Sequence, residues 1–139
     1  MKYPIGIQSF DRIIEDGYVY VDKTELIYNL THESSIYFLS RPRRFGKSLL
    51  VSTLNYYLGR RELFRGLAME RLETEWAVHP VFHVDFNSTN FTNPGELEQK
   101  LDFYVSRWMN QYGLPPEIKA LGIGDRFVEV LRAAHERTG

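Results

Sequence analysis

The sequence has no cysteine, so no disulfide can staple it and no thiolate can hold a metal. It has no apolar run near the roughly 20 residues of a membrane span. Its first ten residues lack the basic start and continuous apolar stretch of a signal peptide. The expectation is a soluble, cytoplasmic chain without a membrane partner. An excess of one charge is also missing: 17 Lys and Arg stand against 18 Asp and Glu, a formal net charge of -1. That balance gives no general attraction to nucleic acid or anionic lipid. No internal repeat or low-complexity segment is visible. What is present is 139 residues, 43% hydrophobic and 25% charged, the composition of one compact globular domain or a large piece of one. Polyanion binding would need a local patch, and Arg41, Arg43, Arg44 and Lys47 supply one.

Hydrophobic periodicity and punctuation set the expected elements. Tyr18 to Val21 is a short β-rich run. Asp22 and Glu25, three apart, form a capping-box pattern that predicts a helix with Leu26, Ile27 and Leu30 on its apolar face, broken at Thr31 to Ser35. Ile36-Tyr37-Phe38-Leu39 is a continuous apolar run of the kind expected of a buried parallel strand. After the basic cluster, Leu49, Leu50, Leu54, Tyr57 and Leu58 predict a helix that Gly59 ends. Arg60 to Trp76 reads as short helices, and Val81 to Phe86 as a second buried strand. Helices follow from Pro94 to about Gly113 and around Phe127, Val130, Leu131 and Ala134, with a turn region at Ile118 to Gly124. Two core strands are few for a doubly wound sheet, so residues 1–139 are expected to be the N-terminal part of a domain in a longer protein.

Between the first predicted strand and its helix lies Arg41-Pro42-Arg43-Arg44-Phe45-Gly46-Lys47-Ser48. A phosphate loop wraps backbone N–H groups around phosphate at a helix N-terminus, where the dipole also favours negative charge. Its lysine reaches the β- and γ-phosphates and its Ser or Thr hydroxyl ligates Mg²⁺. Only Gly-Lys-Ser matches the general pattern, and Arg41 stands where the first glycine belongs. Three such residues recur by chance; the apolar run before them and the amphipathic helix after them add weight. Pro42, with φ fixed by its ring, can shape the turn in place of that glycine. An Arg41 side chain filling the β-phosphate position would exclude such a site.

Together, "YVYVDKTELI", "FLSRPRRFGKSLLVSTL" and "VFHVDFNS" resemble the AAA-ATPase-like family of bacterial and archaeal proteins, P-loop ATPases often joined to a C-terminal nuclease-like domain of the PD-(D/E)XK type. The resemblance spans about Phe10 to the end of the chain. It implies a three-layer α/β/α P-loop NTPase fold with a parallel sheet, cut before its Walker B strand, with ATP and Mg²⁺ as ligands. In that family Arg-Pro-Arg-Arg-Phe-Gly-Lys-Ser is the usual form of the loop. The match assigns Arg43, Arg44, Phe45, Gly46, Lys47, Ser48 and Leu49 to nucleotide binding. Within that set it gives Lys47 to catalysis at the γ-phosphate and Ser48 to the metal. It also implies partners: nucleic acid through an associated nuclease-like domain, and further subunits of an oligomer.

Other candidates remain open at this level. Asp22, Lys23 and Thr24 correspond to a segment near the base and ribose in related ATPases, or are simply a helix cap. Asp85 ends a Walker B-like run, but the family's own Walker B, Leu-Ile-Asp-Glu-Tyr-Asp, follows a helix like Phe127 to Arg137 and is absent. His32, His79, His83 and His135 show no metal-ligand spacing, and Trp76 and Trp108 read as core. Two alternatives stand beside ATP binding: a basic patch for nucleic acid or protein, and a degenerate ATPase acting as a scaffold.

Overall fold

The computed structural model describes residues 1–33, 35–42, 44–87 and 90–138. They form helices α1 (Phe10–Glu15), α2 (Thr24–Glu33), α3 (Lys47–Tyr57), α4 (Ala68–Leu72), α5 (Glu96–Gln111) and α6 (Ile123–Thr138). Single 3-10 turns lie at Arg61–Phe64 and Pro116–Ala120. The chain divides into two compact units, residues 1–81 and residues from Phe82 onward.

The expected α/β fold, a three-layer P-loop NTPase arrangement with a parallel sheet, is overturned. Among the described residues there is no β-strand, and the pairing that exists is an isolated parallel bridge between Lys2 and Tyr18. Ile36 and Phe38, expected inside a buried strand, are 86% and 94% exposed. Val81 to Phe86 is likewise irregular. The physical reason is that a parallel strand persists only where neighbours take its N–H and C=O groups and layers cover both faces. An apolar run signals burial but supplies no neighbour, so periodicity alone cannot make it a strand.

In the first unit, α1 is an unpredicted element. Six residues are far below the ~12–15 that an isolated helix needs, so tertiary burial holds it. Phe10 and Ile13 are buried completely or nearly so, and burying each side chain is worth about 1.5–3 kcal/mol. Phe10 packs on Phe64, ring centroids 4.9 Å apart, within a core that also holds Ile27, Tyr57, Leu63 and Met69. Trp76 joins it edge-on to Tyr57 at 5.7 Å, as expected of a core tryptophan. α1 packs on α3, and the Phe10 N–H donates to Ser52 Oγ of α3 at 2.9 Å.

α2 starts where the capping pattern places it but runs past the predicted break. Thr31 and His32 stay helical by turning their side chains back to the preceding turn: Thr31 Oγ1 donates to the Tyr28 carbonyl at 2.9 Å, and His32 stacks on the Tyr28 ring at 4.0 Å. α2 and α4 are joined at their N-termini. Asp22 accepts from the Thr24 N–H (2.9 Å) and hydroxyl (2.7 Å), and its other oxygen takes the Ala68 N–H at 2.7 Å. The fully buried Thr24 accepts the Met69 N–H at 3.0 Å. Near the core, the buried Glu73 carboxylate accepts from the Tyr57 hydroxyl and from the Glu75 N–H at 2.8 Å.

The second unit is an α5–α6 hairpin around Val105, Trp108, Met109 and Val130. Phe82 covers it, edge-on to Trp108 at 5.0 Å. Arg126 on α6 is buried and paired with Asp102 of α5. Arg137 donates to the Tyr112 carbonyl at 2.8 Å, closing the C-terminal end of α5.

Candidate functional site

Lys47 is the first residue of α3, and Gly46 before it is left-handed (φ 75, ψ 16), a conformation that glycine adopts without penalty. Arg44 also has positive φ, 68°, which is uncommon for a residue with a side chain and gives the turn its tight curl. Among the described residues no side chain caps α3, and no acidic residue lies in its first turn. The first helical bond runs from the Leu50 N–H to the Gly46 carbonyl at 2.9 Å. The N–H groups of Lys47, Ser48 and Leu49 precede that bond, so the helix cannot satisfy them itself. With the dipole, they make this end attractive to an anion.

A cavity of about 550 Å³ opens at this end. Two segments line it: Arg44, Gly46, Lys47, Ser48 and Leu49 at the start of α3, and Pro4, Gly6, Ile7 and Gln8 near the N-terminus. The α3 segment holds five of the seven residues assigned to nucleotide binding. Phe45, 64% exposed, lines a neighbouring apolar cavity instead, and Arg43 lies outside the described residues. Lys47 Nζ donates to the Arg41 carbonyl at 2.7 Å, which draws the turn closed across its mouth. The Arg41 side chain points to the Phe45 carbonyl and lines the neighbouring cavity, and it is not among the residues that line the cavity at the α3 N-terminus.

That second cavity, about 410 Å³, meets the first at Pro4, Gly46 and Leu49, and Lys23 lines it. Asp22 and Thr24 are committed to helix N-termini, as a cap requires. Burial acts to raise the Asp22 carboxyl, but hydrogen bonds from Thr24 and the Ala68 N–H outweigh it and hold the group below its ordinary value. Asp85 belongs to the second unit. Its carboxylate accepts from the Asn87 N–H and side-chain amide, both at 2.8 Å, and the Asn87 backbone bond leads the effects that lower its pKa. Ser88 and Thr89, just beyond, lie outside the described residues. Among the described residues no group of three or more His, Asp or Glu is placed to hold a metal ion.

The wall formed by Pro4 to Gln8 was not legible as part of a site. Its local signal is only a Pro-x-Gly turn, realised here as bonds from Ile5 N–H to the Tyr3 carbonyl (2.9 Å) and from Ile7 N–H to the Pro4 carbonyl (3.4 Å).

A profile of the AAA-ATPase-like family, described as predicted AAA-ATPases, matches residues 4–139. The match thus takes in the Pro4 to Gln8 wall, which lies upstream of the resemblance seen from Phe10. The chain is also 39% identical over 141 residues to a protein of Azotobacter chroococcum mcd 1 described as an uncharacterized protein in the vnfD 5′ region. The alignment covers 99% of this chain and 27% of that relative, so the chain spans about a quarter of its length. No solved structure matches. The chain belongs to the AAA-ATPase-like family. Membership points to nucleotide use in a general way, and the family match does not extend to a nuclease part. No helix among the described residues is long and apolar enough to cross a membrane.

Proposed function

We propose that this chain binds ATP, with its phosphates at the N-terminus of α3. The observation that carries this is the cavity of about 550 Å³ at the uncapped end of α3, with Lys47 and Ser48 on its wall. The N–H groups of Lys47, Ser48 and Leu49 would face the phosphates. The Lys47 ammonium, now on the Arg41 carbonyl, would exchange that acceptor for β- and γ-phosphate oxygens. Gly46 lets the backbone approach without a Cβ, whose place here has nothing within 4 Å.

The donor set fits Mg²⁺ in one limited way. The Ser48 hydroxyl is a hard oxygen donor, and Mg²⁺ is ordinarily held by few protein oxygens together with phosphates and waters. When bound, the ion would neutralise charge on the phosphates. None of the residues that line the cavity is a carboxylate, so no base there orients an attacking water. The activity proposed for residues 1–139 is therefore binding. Hydrolysis is proposed for a longer protein that brings an acid to Lys47, as are an oligomeric assembly and a nucleic-acid partner.

Calorimetric titration with MgATPγS, beside Lys47→Ala and at two salt concentrations, tests the site. Saturable binding should weaken at least about tenfold in the variant, the scale of a lost charge-assisted contact. Binding indifferent to Lys47→Ala but collapsing steeply with salt would instead indicate a diffuse patch of arginines.

A further inference from the structure

The cavity is too large for phosphates alone; its 550 Å³ lies in the range of pockets that enclose whole small molecules. Its two lining segments differ in charge. Arg44 and Lys47 stand in the α3 segment, whereas the Pro4 to Gln8 segment carries no charge. A nucleotide entering with its triphosphate on α3 therefore places its base toward the neutral wall.

That wall is anchored at both ends. Upstream, the Lys2 carbonyl accepts the Val19 N–H at 2.8 Å; downstream, the Phe10 N–H is held by Ser52 of α3, one turn along from Ser48. The segment between is thus tethered to Val19 at one end and, at the other, to the helix that carries Lys47 and Ser48. On it, Ile7 is half-buried and offers an apolar surface, and Gly6, with φ 76, leaves the space of a Cβ open. Gln8 is exposed and lines the cavity. Among the lining residues of that segment, its side chain alone carries both a hydrogen-bond donor and an acceptor. Adenine presents an amino donor beside a ring-nitrogen acceptor, an edge that a carboxamide can meet with two hydrogen bonds.

We propose that Pro4 to Gln8 is the base-recognition wall of the site and that the Gln8 carboxamide pairs with the adenine edge, making Gln8 a specificity-determining residue. This rests on the ATP-binding reading above. The base contributes through Gln8 what a bare triphosphate lacks, so the two ligands separate this inference from that reading.

The test is titration of the 139-residue chain, Gln8→Ala and Lys47→Ala with MgATPγS, MgGTPγS and Mg-tripolyphosphate, with thermal melting as a check on folding. Gln8→Ala should weaken MgATPγS about tenfold or more, the scale of a bidentate base contact. It should leave tripolyphosphate affinity and melting unchanged. MgATPγS binding unaltered by Gln8→Ala, equal losses for both ligands, or wild-type binding of MgGTPγS as tight as that of MgATPγS would each overturn the inference. In those cases the phosphate site itself would still stand if Lys47→Ala abolished tripolyphosphate binding. Tripolyphosphate that fails to bind wild type, or binds Lys47→Ala equally, would overturn both.

Discussion

Two sets of backbone N–H groups in the first unit meet opposite fates. At the N-termini of α2 and α4, the chain spends Asp22 and Thr24 on the donors of Thr24, Ala68 and Met69. At the N-terminus of α3 it places a left-handed glycine, a lysine and, among the described residues, no side-chain cap. A capped end is closed to ligands and tightens the fold; an uncapped end facing a cavity keeps its donors for something else. Both ends are built from short polar motifs, Asp-Lys-Thr and Gly-Lys-Ser, so motif chemistry alone would not separate a structural clamp from a binding turn. The presence of an internal acceptor does.

The largest expected effect lies at Lys47. Lys47→Ala removes MgATPγS binding by tenfold or more in calorimetry while changing unfolding free energy by no more than about 0.5 kcal/mol, as expected of an exposed side chain. The clamp should behave in reverse. Thr24→Val leaves the buried Met69 N–H without its acceptor, and urea unfolding should show a loss of about 2 kcal/mol. MgATPγS affinity measured well below the unfolding transition should be unchanged. Gly46→Ala sharpens the contrast: open space surrounds its Cβ position, so only the left-handed backbone penalises the substitution, by about 1 kcal/mol.

The smallest effect lies in acid. Asp22 is held below its ordinary pKa of 3.8 in the folded chain, so the unfolded chain takes up its proton first as pH falls. The stabilisation is complete above 3.8 and disappears as pH drops through the depressed folded value. Stability of the first unit followed against pH should lose that part of its acid slope in Asp22→Asn.

What could be read from the sequence was what local chemistry determines. Gly46, Lys47 and the leucines after them announce α3 because a glycine turn and a 3.6-residue apolar spacing act within one segment. The same holds for α5 and for the start of α2 at Thr24. α1 went unread because six residues carry little pattern, although Phe10, Ile13 and Ile14 sit at helical spacing after Ser9. The Pro4 to Gln8 wall was hidden for a different reason: it faces residues some forty positions away, and no local rule reports such a meeting. The sheet was misread because Ile36 to Leu39 and Val81 to Phe86 carry the composition of strands, while pairing is a property of neighbours that composition does not contain.

The uncovered run from Ile36 to Leu39 has a consequence for how the protein behaves in concentrated solution. Uncharged, free of proline and rich in aromatic and branched residues, it has the make-up of segments that stack between molecules into aggregates. Its nearest charges are Glu33 on one side and Arg41 on the other, so these two act as gatekeepers for colloidal stability. A salt that screens them will therefore promote precipitation before it disturbs the folded core.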